Sequence, residues 1–142
     1  MIAERLADPL LLHVLVMLWL LPCAIQDRRT RQVSNWLTVP LFLAAWPVAL
    51  LTGHFPLTCV VFVGVYVATK LEPRAGAADG KLMVGLAAFA PLALGIGVLL
   101  EVVIFVVLRL RDRRDIAISG APWLYLGSVL SAGLWSALRS PV

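Results

Sequence analysis

The sequence predicts an all-α, polytopic membrane protein with about six transmembrane helices. Of its 142 residues, 61% are hydrophobic and only 14% are charged, and the mean hydropathy is +0.95. Soluble domains contain about 45–50% apolar and about 25% charged residues, so this composition excludes an ordinary soluble domain and a disordered chain. Because one spanning helix needs roughly 20 residues, the length predicts a single integral-membrane domain over residues 1–142.

Apolar runs separated by short polar breaks give the positions of the predicted spans. These are residues 9–26, 36–52, 55–70, 82–108 and 121–138. The first span is expected to be retained, because Glu4 and Asp8 precede it and no small-residue cleavage site of a signal peptide follows it. The uninterrupted valine-rich stretch at 60–67 lacks the alternation of a membrane β-strand.

The run at 82–108 is long enough for one tilted helix, or for two helices joined by a tight turn near Gly95. The basic residues favour two helices. Ten of the 12 Lys and Arg residues lie in three breaks, at 28–31, 70–81 and 109–114. Lys and Arg concentrate in cytoplasmic loops, and the three breaks share one side only if the long run contains a turn. We therefore predict six helices with both termini outside.

Two aspartates lie at the edges of predicted spans. Asp27 directly follows the first span and Asp79 immediately precedes the fourth, so the six-helix topology puts both at the cytoplasmic edge. Ionisable residues near membrane depth are functional candidates. Two carboxylates in a low-dielectric site share a proton, so one can accept a proton from water while the other donates to a carbonyl oxygen. Aspartic proteases use this chemistry, without a metal or a nucleophilic serine or cysteine.

Both aspartates also have purely structural interpretations. Asp27 is one helical turn from Arg31, with which it could form an ion pair. Asp79 could cap the amino terminus of a helix whose apolar run begins at Leu82. Position alone therefore leaves the catalytic hypothesis open.

The residues around each aspartate resemble motifs of the type IV prepilin peptidases. In that family an Asp closes a helix, a basic loop follows, and an Ile-Pro-Asn-like step opens the next helix; the stretch at 27–38 is similar. The stretch from Gly76 to Lys81, Gly-Ala-Ala-Asp-Gly-Lys, resembles the Gly-x-Gly-Asp motif of intramembrane aspartyl proteases. The 52 residues that separate the aspartates leave room for a helical hairpin. The segment 119–122, Ser-Gly-Ala-Pro, resembles the opening of the family's last helix.

Three features depart from the family pattern. Ala78 replaces the second glycine of Gly-x-Gly-Asp, and Ser34 replaces the proline of the Ile-Pro-Asn step. Longer members carry a four-cysteine cytoplasmic loop linked to N-methylation, whereas this chain has only Cys23 and Cys59. The resemblance therefore implies a short form with peptidase activity alone.

Further residues near the aspartates are candidates for shaping the site. Gly76 and Gly80 are expected to let a loop bend back and seat Asp79, with ordinary loop glycines as the alternative. Lys81 is expected either to stabilise a carboxylate or a substrate carbonyl, or to act as a positive-inside anchor. Asn35 is expected to cap the second helix. The isolated histidines His13 and His54 do not predict a metal site.

The resemblance implies a membrane-embedded aspartic endopeptidase with Asp27 and Asp79 as its catalytic residues. It implies cleavage of type IV prepilins or pseudopilins after a glycine, at the cytoplasmic edge of the inner membrane. The expected partners are this substrate and the lipid bilayer, with no nucleic acid and no cofactor. The alternatives are a non-enzymatic membrane subunit of a pilus or secretion assembly, a small transporter, and an inactive family member.

The predicted topology can be tested by cysteine-accessibility mapping at Arg29 and Arg113. Because both residues lie in basic breaks, we expect single cysteines at these positions to react with an impermeant reagent from the same, cytoplasmic side. A cysteine at His54, in a predicted outer turn, is the control that should react from the other side. Opposite sidedness of positions 29 and 113 would contradict the six-helix topology.

Overall fold

The computed structural model describes residues 2–6, 8–30, 32–71, 77–113 and 120–140. In these ranges the regular secondary structure is helical, with no strand. This confirms the all-α class. The helices are α1 (Ile2–Leu6), α2 (Pro9–Thr30), α3 (Asn35–Thr52), α4 (Phe55–Leu71), α5 (Ala77–Phe89), α6 (Pro91–Leu110) and α7 (Gly120–Arg139). The described residues thus form one short helix followed by the six longer helices that the sequence predicts.

The outer surface of the bundle is apolar, as in a protein whose solvent is lipid. Leu50, Val60 and Leu99 are each more than 60% exposed. Three of the described helices, α2, α3 and α6, are long and apolar enough to cross a membrane, and α4 is apolar but has 17 residues. Helix α5 has only 13 residues, or about 20 Å of helix, which is less than the roughly 30 Å hydrocarbon core.

Contacts between helix termini define two ends of the bundle. At the first, Lys81 at the start of α5 bonds to Asn35 at the start of α3, and Gly120 at the start of α7 bonds to Asp79. We call this the Asp79 end.

At the other end, the side chains of Thr52 and His54 approach the carbonyl oxygen of Ala88 near the end of α5. Arg139 at the end of α7 pairs there with Asp8, just before α2, at 2.8 Å. The guanidinium of Arg139 holds the pKa of Asp8 below its ordinary value. We call this the Arg139 end, and the longer helices alternate in direction between the two.

The break in the long apolar run lies at Ala90, between α5 and α6, and the prediction of a turn near Gly95 is wrong. Ala90 has φ −152° and ψ 77°, outside the helical region, and Pro91 is the first residue of α6. Proline favours this position because its missing N–H is not needed in the first turn and its fixed φ suits a helix. Gly95 lies inside α6, and the division of the run into two helices is correct.

Small residues bring α6 and α7 into backbone contact. A Cβ added to Gly127 would lie 2.5 Å from the amide nitrogen of Gly97 and 2.6 Å from the carbonyl oxygen of Ala93. A Cβ added to Gly97 would lie 3.0 Å from the Cα of Leu124. Such close packing is the means by which helices associate where lipid replaces water.

Helix α5 packs against its neighbours through small residues. Ala87 and Ala88 of this helix, and Ala90 directly after it, are fully buried. Gly85 makes room for the side chain of Leu41 from α3, where an added Cβ would be only 2.7 Å from the Leu41 Cγ. Small side chains thus let α5 pack closely against its neighbours.

The turn between α2 and α3 differs from the prediction in two respects. Helix α2 continues to Thr30 rather than ending at residue 26, and the side chain of Gln26 accepts a bond from the Ser34 amide at 2.9 Å. Ser34, and not Asn35, caps α3: its backbone is extended and its hydroxyl oxygen accepts from the Trp36 amide. The Ser34 hydroxyl, one residue before Asn35, reaches a free backbone N–H of the first turn. The side-chain oxygen of Asn35 accepts a bond from Lys81 instead.

The α6–α7 contact predicts a large difference between two glycine substitutions in one helix. Gly127→Ala should destabilise the protein by roughly 1–3 kcal/mol, because the methyl group would overlap backbone atoms that cannot move aside. Gly133→Ala is the matched control, since a Cβ there meets nothing within 4 Å and alanine is the better helix former by about 1 kcal/mol. Unfolding midpoints in detergent measure both, and equal midpoints would contradict the packing.

Candidate active site

Asp27 is a buried carboxylate in the last turn of α2. Its side chain is 7% exposed. Because α2 continues to Thr30, Asp27 lies within the helix rather than after it. Arg28 and Arg29 follow in the same turn, where positive charge is favourable beside the carbonyl groups of a helix terminus. Arg31, the alternative partner of Asp27, lies outside the described residues.

Asp79 is half-buried in the first turn of α5, as the third residue of the helix. The alternative in which it caps this helix is wrong, because the helix already begins at Ala77. A carboxylate in a first turn is stabilised by the unpaired amides there. It also accepts a hydrogen bond from the backbone N–H of Gly120 at the start of α7.

The structure brings the carboxyl groups of Asp27 and Asp79 close enough to interact electrostatically. Their charges repel each other directly, although they lie on different helices and are 52 residues apart in the sequence. Helices α2, α5 and α7 pack against one another around them. Repulsion between two carboxylates in a poorly hydrated site favours a state in which the pair holds one proton.

Lys81 and Asn35 contact each other at the edge of this site. The Lys81 Nζ donates to the Asn35 Oδ1 at 3.1 Å. This bond joins the starts of α3 and α5. It holds the positive charge of Lys81 two residues after Asp79 in the sequence. A role of Lys81 in the reaction and a role as a positive anchor at the membrane surface both stay predictions.

The small residues around Asp79 do not form the predicted flexible loop in the part that the structure describes. Gly80 lies in α5, where its missing side chain accommodates Val65 of α4, and an added Cβ would overlap the Val65 Cγ1. The role of Gly80 is therefore close packing rather than bending. Ala78 is half-buried in the same turn. Gly76 lies outside the described residues.

Two residues at the site were not predicted. Gly120 belongs to the segment that resembles the opening of the family's last helix, but nothing in the sequence indicates that its amide bonds to Asp79. Glu101 of α6 also faces the site, since its charge repels that of Asp79. It is the only charged residue in the run at 82–108, and a lone acid in an apolar span is a signal that could have identified it.

The histidines are bound within the protein at other positions. His13 Nδ1 lies 2.5 Å from the Pro9 carbonyl oxygen, and His54 Nδ1 lies 3.2 Å from that of Ala88. Among the residues that the structure describes, no three His, Cys, Asp or Glu side chains are arranged to hold a metal ion.

Comparison with known proteins identifies the family. No curated protein and no solved structure matches the chain significantly. Residues 14–110 match the family model described as the type IV leader peptidase family. The matched region covers about two thirds of the chain and includes both aspartates, the first at the end of α2 and the second at the start of α5. The chain folds as an all-α membrane bundle with two carboxylates at one end, and the family model matches more than half of its length. It therefore belongs to the type IV leader peptidase family.

Proposed function

We propose that this membrane-embedded peptidase is an aspartic endopeptidase in which Asp27 and Asp79 activate one water molecule. Family membership makes the chain a leader peptidase-like protease. One observation supports the aspartic mechanism above all. The buried carboxylate of Asp27 lies near that of Asp79, which the backbone amide of Gly120 holds in place. Neither a metal nor a covalent nucleophile is needed for such a pair to hydrolyse a peptide bond.

In this mechanism the two carboxylates begin with one proton between them. The ionised partner accepts a proton from the attacking water, while the protonated partner donates its proton to the oxygen of the substrate carbonyl. The tetrahedral intermediate then collapses and the C–N bond breaks. The leaving amine takes a proton from one carboxyl group of the pair, and a hydroxyl group of the intermediate returns a proton to the other, which restores the pair with one proton. The Gly120 amide keeps the Asp79 carboxylate oriented through these exchanges.

The proposed substrate is the leader of a type IV prepilin or pseudopilin, cut after a glycine at the cytoplasmic edge of the inner membrane. Two kinds of observation support this position. Asp27 and Asp79 lie at the same end of the bundle, and the basic residues Arg28, Arg29, Lys70 and Arg109 lie in the last turns of helices that run towards it. Clustered Lys and Arg indicate the cytoplasmic side of a multi-pass protein.

The dyad predicts that Asp27→Asn and Asp79→Asn each abolish cleavage. An amide cannot exchange the shared proton, so we expect each rate to fall by about 10²–10⁴-fold or more. The assay is the gel shift and the mass of the new amino terminus of a co-expressed prepilin with a basic leader, a glycine and one apolar helix. All variants should reach the membrane in equal amounts.

Asp112→Asn is the matched control for both substitutions. Asp112 is exposed beyond the end of α6 with φ 56°, a left-handed conformation that asparagine also tolerates, so its cleavage rate should be unchanged. Cleavage that survives either dyad substitution would show that the catalytic residues are others. Well-folded wild-type protein that cleaves no prepilin would favour a scaffold or an inactive member.

The contact between Gly120 and Asp79 predicts a variant that loses activity without losing stability. A Cβ at Gly120 would lie 2.9 Å from the Asp79 Oδ2. Because that oxygen is the end of a side chain, it can move away at small cost, but the carboxylate then leaves its catalytic position. A displacement of about 1 Å can lower a rate by about 10²-fold.

We therefore expect Gly120→Ala to cleave the prepilin at least tenfold more slowly than wild type, with an unfolding midpoint within the error of the wild-type value. Gly95→Ala is the control, since a Cβ at this helical position meets nothing within 4 Å. Wild-type activity in Gly120→Ala would contradict the positioning role of this residue.

A further inference from the structure

Glu101 is a half-buried acid in the most apolar of the spanning helices that the structure describes. Helix α6 has a mean hydropathy of 2.7 over its most apolar stretch. Glu101 lies near the middle of this helix, about two turns before Arg109. An acid at membrane depth is costly and is retained where it has a function. The mechanism above does not use it.

The position of Glu101 follows from the helical register of the α6–α7 contact. Ala93, Gly97 and Glu101 are four residues apart, so they lie along one face of α6. Gly97 contacts Leu124 of α7, and Ala93 contacts Gly127 further along. The two helices are therefore antiparallel.

One helical turn beyond Gly97 in α6 is Glu101, and one turn before Leu124 in α7 is Gly120. The antiparallel register thus places Glu101 at the level of Gly120, whose amide bonds to Asp79. The small-residue contact that joins α6 to α7 ends at the proposed catalytic pair.

The charged and titratable groups around Glu101 belong to three helices. Asp79 faces it from α5, and Asp27 of α2 faces Asp79 in turn. Lys81, also on α5, is bonded to Asn35 of α3. In the described part of α7 the titratable groups are Tyr125 and Arg139, and Arg139 is paired with Asp8 at the Arg139 end.

We propose that Glu101 is a positioning residue of the peptidase, whose negative charge keeps the shared proton on the Asp27–Asp79 pair. The inference rests on the proposed function, because it concerns the protonation of that pair. Glu101 itself does not touch the substrate or the water in this proposal. It acts through Asp79.

The sign of the effect follows from electrostatics. A catalytic pair works with one proton, and it loses activity when the pH is high enough to remove that proton. A third negative charge nearby makes the removal harder, because three neighbouring carboxylates repel one another in a poorly hydrated site. Glu101 should therefore extend the activity of the pair to higher pH.

The test is the pH dependence of kcat/KM, which reports the groups of the free enzyme. Purified full-length protein in detergent micelles would cleave a synthetic peptide with a basic leader, a glycine and an apolar segment. We expect the alkaline limb of the Glu101→Gln profile to lie about one pH unit below that of wild type. Glu101→Asp, which keeps the charge, should restore most of the wild-type profile.

A structural role for Glu101 would change the amount of folded protein or the maximal rate and leave the alkaline limb in place, and that result would overturn the proposal. Glu101→Met provides a second uncharged side chain of similar length if Glu101→Gln does not accumulate, and it should show the same displacement. Failure of this inference is distinguishable from failure of the proposed function. In the first case Asp27→Asn and Asp79→Asn abolish cleavage while Glu101→Gln keeps the wild-type profile; in the second, cleavage does not depend on the aspartates.

Discussion

The backbone contact between α6 and α7 is the constraint on which the site depends. Gly97 and Gly127 carry no side chains that would hold the helices apart, so the register of one helix against the other is fixed at the level of main-chain atoms. That register brings the start of α7 to Asp79 and leaves no space for a side chain at Gly120. The geometry of the proposed catalytic pair is thus set by glycines, whose side chains take no part in the chemistry.

The site combines burial with charge in a way that a soluble core would avoid. Asp27 is almost completely buried, and Asp79 and Glu101 are half-buried, although removing carboxylates from water is costly. For Asp79, the amino terminus of α5 and the backbone amide of Gly120 compensate part of that cost. The remaining repulsion between Asp27 and Asp79 is relieved when the two share a proton, and the proposed acid–base chemistry uses that exchange.

The sequence was sufficient for the fold class and for the six longer helices, and it singled out two aspartates that the structure brings to one end of the bundle. Each of these depends on local composition or on position beside an apolar run. It was misleading where two local signals compete. Gly95 and Pro91 both mark a break, and proline decides it because it cannot donate a helical bond; Ser34 and Asn35 both suit a cap, and only one reaches the first turn. The role of Gly120 depends on the α6–α7 register, which no local pattern encodes.

The shortness of α5 has a consequence for the surrounding lipid. A helix of about 20 Å cannot match a hydrocarbon layer of roughly 30 Å, so the bilayer must thin beside it or polar headgroups must descend along it. Asp79 is in the first turn of this helix, where such a depression would admit water to the proposed site of cleavage. The rate of hydrolysis would then depend on bilayer thickness, because lipids with long acyl chains would impede the access of water to Asp79.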